Sequence, residues 1–132
     1  MSDTLTADPQ YLEMVMTKAI LEDKEFTVTT TRVFEDEYFD SPELQEIFKF
    51  TKTYFLEHKE IPDRNIIMNT IPTDMRDSVA VYLEHVDAMD IDLATHHTWL
   101  MGQTNAYLKD KAIKDAVRKA VDVIENREDT ND

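Results

Sequence analysis

The side chains best suited to chemistry gather in one stretch. His96 and His97 are adjacent, and His85, Asp87, Asp90 and Asp92 lie just before them. Two-histidine metal sites usually place their ligands at i and i+4, so that both rings meet one ion; neighbouring helical residues instead diverge by about 100°. The spacing therefore argues for surface or structural histidines, and no metal is expected. Carboxylates also cluster at Glu35-Asp36-Glu37, but in a chain with 28 Asp and Glu such groupings arise by chance and read as solvated faces. Ser2, Ser41 and Ser78 lack the glycine-flanked elbow of a nucleophile, and there is no cysteine to supply a thiolate, a disulfide or a zinc ligand. With Gly102 as its one glycine the chain holds no G-x-x-x-x-G-K-S/T phosphate loop. No enzyme signature is present, and neither catalytic residues nor cofactors are expected.

What remains to be positioned is surface. The chain has 132 residues and a formal net charge of −14, which repels phosphate backbones and anionic lipid; direct binding to nucleic acid or membrane is not expected, and protein partners are. No apolar run approaches the roughly 18 residues of a membrane span, and the first residues are acidic rather than basic, so neither a span nor a signal peptide is read and a cytoplasmic location is expected.

The elements read as all-α, a small helical bundle followed by one long helix. Residues 1–8 are expected as a flexible tail, with Asp8-Pro9 capping a helix that carries Leu12, Val15, Met16, Ala19 and Ile20. The β-branched run in Phe26–Val33 predicts an extended or irregular connection with at most a helical turn near Thr31–Phe34. Ser41-Pro42 opens a helix with Leu44, Ile47, Phe48, Thr51, Tyr54 and Phe55 on one stripe, and Phe48, Tyr54 and Phe55 are expected core anchors. Short helices follow after Asp63 and Thr73, completing a bundle over residues 9–94.

From residue 95 to 126 a nearly continuous face recurs: Trp99, Gln103, Ala106, Asp110, Ile113, Val117, Ala120, Ile124. Trp99 is expected to be a core anchor that seats this helix. At about 45 Å the helix outruns the bundle, so Ile113, Val117, Ala120, Val121 and Ile124 are expected to form a seam for another helix, making this one arm of a helical hairpin. Lys109, Lys111, Lys114, Arg118 and Lys119 form a locally basic strip. Mixed i, i+4 pairing on a solvent face explains it, and so would a docking strip for a partner. Residues 127–132 are expected as a linker or disordered end. The methionines, among them Met14, Met16, Met68, Met75, Met89 and Met101, read mainly as core fillers.

The run Glu37-Tyr38-Phe39-Asp40-Ser41, leading to Phe48-Lys49 and closing at Glu60-Ile61-Pro62, resembles the N-terminal domain of DnaB-type replicative helicases, most closely those of T-even phages. His97-Thr98-Trp99-Leu100, opening a helix that runs through Tyr107 and Lys111-Ala112 to Val123-Ile124, is similar to the H-S-W-L start of the corresponding phage helix. The resemblance covers about residues 10 to 126. It implies a helical bundle and hairpin that build the collar of a hexameric ring, self-associate, and dock primase and helicase loader, while ATP-driven motion belongs to a separate motor domain. A domain of a longer phage helicase is the expectation. The alternative is a free-standing acidic phage protein that inhibits a host nucleic-acid-binding protein by DNA or collar mimicry.

Overall fold

The computed structural model describes residues 7–130, with side chains through Arg127, and every regular element among them is helical. The order is α1 (Pro9–Glu22), α2 (Lys24–Val33), a 3-10 turn at Asp36–Tyr38, α3 (Pro42–His58), α4 (Arg64–Thr70), a second 3-10 turn at Thr73–Met75, α5 (Arg76–Asp87) and α6 (His97–Thr130). Residues 1–6 of the expected tail and 131–132 of the expected linker lie outside the described residues. Ala7 does not belong to a loose tail, because its backbone N–H donates to Gln103 Oε1 on α6. The long helix starts at residue 97 rather than 95 and continues to 130 rather than ending at 126.

Capping chemistry sets the helix starts. The Asp8 carboxylate accepts from the Gln10 and Tyr11 N–H groups, Ser41 Oγ accepts from Leu44, and Asp63 accepts from Asn65, satisfying amides that a helix start leaves without partners. Lys59 ends α3 in the left-handed region at φ 59°, the one non-glycine residue among those described with positive φ.

The threonine-rich segment corrects the expectation of an extended connection, since it is helix α2. Asp23 caps it, and the Thr27, Thr29, Thr30 and Thr31 hydroxyls turn back onto the carbonyls of Asp23, Glu25, Phe26 and Thr27. Phe26, Thr27, Thr30 and Thr31 are buried. The cost of β-branched residues in a helix is a few tenths of a kcal/mol each, less than burying this face returns.

α1 lies between two apolar clusters. One joins its Leu12, Val15, Met16 and Ile20 to Phe26, Phe34, Phe39, Phe48, Leu100 and Tyr107; the other joins Leu21 and Ile47 to Ile67, Ile71, Val79 and Leu83 of the second half of the bundle. Phe39 stacks parallel on Phe34 at 5.2 Å and meets Phe48 edge-on at 5.1 Å, the two ring arrangements that aromatic quadrupoles favour. Phe48 and Phe55 are buried anchors, and Tyr54 is half-buried against Phe50 and His58. The acidic connection from α5 to α6 also contributes, packing Met89, Ile91 and Leu93 onto the first cluster.

Candidate functional site

α6 has two halves with different surroundings. The first is bolted to the bundle through Glu13, a carboxylate buried within the fold. Its Oε2 accepts from the Asp40 N–H (2.8 Å) and the Tyr107 hydroxyl (2.5 Å), and its Oε1 accepts from the Ser41 N–H (3.1 Å). Burying a charge is tolerable only when its lone pairs are met, and three donors meet these. The motif residues 37–41 thus supply local architecture. Phe39 fills the core, Asp40 and Ser41 present their N–H groups to Glu13, and the Tyr38 carbonyl lies 3.1 Å from the Tyr107 hydroxyl. Burial, reinforced by the bond to Glu13 and its charge, holds the Tyr107 phenol far above its ordinary range. Lys111 closes the junction from outside, bonding Asp40 at 2.7 Å while its ammonium lies 5.3 Å from the Tyr107 ring centre.

The face of α6 on the bundle is Leu100, Gln103, Thr104 and Tyr107. Trp99 is not a core anchor: it is 38% exposed, and its neighbour Leu100 takes the buried position. The apolar spacing from Trp99 onward is continuous, but it describes a different side of the helix. With about 100° of rotation per residue, the stripe of Ile113, Val117, Ala120 and Ile124 is turned by roughly 120° from the Leu100–Tyr107 face. Trp99, Ala106, Ile113 and Ala120 recur every seven residues, as do Gln103, Asp110, Val117 and Ile124, which together make the a/d pattern of a coiled coil. In the first two heptads one of the two series is polar; in the last two both are apolar.

Nothing among the described residues covers that distal seam. Ile113 is 65% exposed, Val117 58% and Ile124 57%, and Ala120 and Val121 are exposed as well; every residue from 116 to 127 is exposed. From Tyr107, the last buried residue among those described, α6 runs on for about 35 Å. Soluble chains seldom leave so ordered an apolar stripe in water without a partner to cover it.

The basic strip is mostly committed. Lys114 pairs with Asp110 (3.1 Å) and Lys119 with Asp115 (3.0 Å). Arg118 holds Asp115 and also approaches Glu37 at 3.9 Å, and Lys111 holds Asp40. Lys119 keeps the Asp115 carboxyl below the usual range and is itself raised in return. Lys109 is exposed. These are surface pairs worth little each, and they place the cations beside the seam, where they flank whatever covers it.

The histidine region is not assembled. His85, His96 and His97 are exposed, and no group of three or more His, Asp and Glu able to hold a metal occurs among the described residues. Asp92 is engaged by the Thr95 hydroxyl, which, with the Thr95 and Ala94 N–H groups, lowers its carboxyl and shapes the turn into α6. Asp87 is lowered chiefly by its bond to Arg64 at 2.7 Å. Gly102 lies within α6 rather than in a phosphate-binding loop, and no described helix is long and apolar enough to cross a membrane.

Glu13 escaped the sequence reading because it is one of 28 acids. Its one signal is placement, since it lies three and four residues before Met16 and Thr17, on the inward side of α1. Comparison with protein-family models, with curated proteins and with solved structures finds no match to this chain.

Proposed function

We propose that this chain is a non-catalytic helical scaffold domain that assembles through the distal half of α6, in the manner of the collar of a DnaB-type phage replicative helicase. In that role it docks primase or helicase loader, and ATP hydrolysis belongs to other residues. One observation carries the reading: the Ile113, Val117, Ala120 and Ile124 seam has coiled-coil spacing, is exposed, and faces away from its own bundle. The resemblance of residues 37–62 and 97–124 to that family supports the biological setting. The natural cover for the seam is a second helical arm or the same seam of another copy.

The energetics favour weak association for this chain alone. Removing three such partly exposed side chains from water on each of two copies gains about 5–10 kcal/mol gross, against an association cost of about 4–15 kcal/mol. Sedimentation equilibrium over a wide concentration range should show reversible self-association. A Val117→Asp, Ile124→Asp double variant should stay folded and monomeric. A native chain that remains monomeric at the highest concentrations reached, or a double variant that unfolds, would remove the physical basis for assembly through α6.

A further inference from the structure

A second surface, unconnected with α6, lies between α2 and the C-terminal end of α3. The two helices are tied at one end, where Lys52 Nζ donates to the carbonyl of Phe34 just past α2. Beyond that tie they leave a groove of about 380 Å³. Val28, Phe55 and Leu56 give it an apolar lining, with Leu56 57% exposed, and Lys24, Arg32 and Lys59 stand around it. No carboxylate lines it. In a chain with two acids for every base, three cations and no acid around one apolar groove run against the overall balance. The cleft beside Tyr82 shows the contrast, since it is lined by Glu13, Asp40 and Glu43 with no cation.

Of the acids within two residues of these cations in sequence, Glu22 pairs with Lys18 and Arg64, and Asp23, Glu25, Glu57 and Glu60 form no ion pair with Lys24, Arg32 or Lys59. Asp23 spends its carboxylate on the Glu25 and Phe26 N–H groups as the cap of α2, and Glu57 lies 3.7 Å from the His58 ring. Neither Lys24 nor Arg32 has an ion-pair partner among the described residues, and Lys59 reaches only the Leu56 carbonyl at the end of its own helix.

We infer that this groove docks a short amphipathic segment of a partner protein, one that places an apolar side chain over Leu56 and Phe55 and carboxylates toward Lys24, Arg32 and Lys59. Charge complementarity selects the acidic partner, and scale selects a peptide. A nucleic acid or an anionic membrane would carry its charge well past the groove, against a molecule of net −14, whereas a short segment keeps its carboxylates within about a Debye length of the three cations. The exposed apolar floor gives affinity that charge alone does not.

Fluorescence anisotropy tests this with a labelled synthetic helical peptide carrying Leu and Phe one turn apart among Asp and Glu. Controls replace its acids with Gln, or its Leu and Phe with Ser. The acidic apolar peptide should bind saturably, and both controls should bind more weakly. Binding should fall about tenfold or more in Lys24→Glu, Arg32→Glu and, separately, in Leu56→Asp. Circular dichroism checks that each is folded, and the exposed Leu56 position keeps the test usable if the charge reversal unfolds. Val117→Asp, Ile124→Asp should bind the peptide as the native chain does, which separates this surface from assembly through α6. Absence of saturable binding, or binding indifferent to the groove substitutions, would overturn the inference. So would tighter, equally substitution-sensitive binding of phosphatidylglycerol vesicles or a single-stranded oligonucleotide.

Discussion

The two halves of α6 lie on one uninterrupted helix and have opposite surroundings. Leu100 to Tyr107 rests on α1 through a buried carboxylate, stacked aromatic rings and a bond from Ala7, while Ile113 to Ile124 carries more aliphatic bulk and leaves it in water. A polar network reinforces the packing of Leu100 and Tyr107 in the buried half, and an apolar stripe runs along the exposed one. A buried hydrogen-bonded network demands one geometry, whereas an apolar stripe accepts any helix of matching spacing. The first half is thus built to hold a position, and the second to be covered by something else.

The largest effect should come from cutting the junction. Glu13→Ala leaves the Asp40 and Ser41 N–H groups without their acceptor and the Tyr107 hydroxyl with the Tyr38 carbonyl alone, and should cost about 3 kcal/mol or more in urea unfolding. Tyr107→Phe, which removes one of those donors, should cost about 2 kcal/mol. If both variants unfold as the native chain does, the two halves do not differ in how firmly they are held.

A second test is alkaline. The Thr17 hydroxyl donates to the Glu13 carbonyl, so the Tyr82 phenol is the donor to Thr17 Oγ1 at 3.0 Å, and burial pushes its pKa from 10.0 to about 12. A folded pKa above the unfolded one means that stability is complete below about pH 10 and falls as the pH rises through 12. The loss reaches about 2–3 kcal/mol for this group. Tyr82 and Tyr107 should ionise above the ordinary phenol range in a spectrophotometric titration, each released together with unfolding. Early, independent ionisation of either would show that this part of the bundle is open to water.

The smallest effect sharpens the boundary between the faces. Trp99→Ala, which would cost about 3–5 kcal/mol at a core anchor, should cost no more than about 1.5 kcal/mol at a side chain this exposed. A loss of several kcal/mol would return Trp99 to the core and move the bundle face of α6 around the helix.

These cases show what the sequence could and could not convey. α3 was legible because Ser41-Pro42 and the stripe from Leu44 to Phe55 gave the same answer. α2 was not, because propensity and burial disagreed and burial prevailed. In α6 the period was readable but its phase was not. A regular series from Trp99 to Ile124 looks the same whether it faces its own bundle or a partner, and the inward side is marked off it by Leu100, Thr104 and Tyr107. The groove between α2 and α3 was invisible for a related reason, since its cations are 27 residues apart in the chain at Arg32 and Lys59.

Amide hydrogen exchange, read separately over residues 100–107 and 113–124 as concentration rises, distinguishes a half held by its own bundle from a half covered by a second copy. Residues 100–107 should be protected at every concentration, and 113–124 should be weakly protected in dilute solution and gain protection on concentration. That gain should vanish in Val117→Asp, Ile124→Asp. Equal, concentration-independent protection of both halves would contradict this division of α6, since the distal seam would then be covered within a single chain. Protection of 113–124 that never rises would contradict it equally, because no second copy would be meeting the seam.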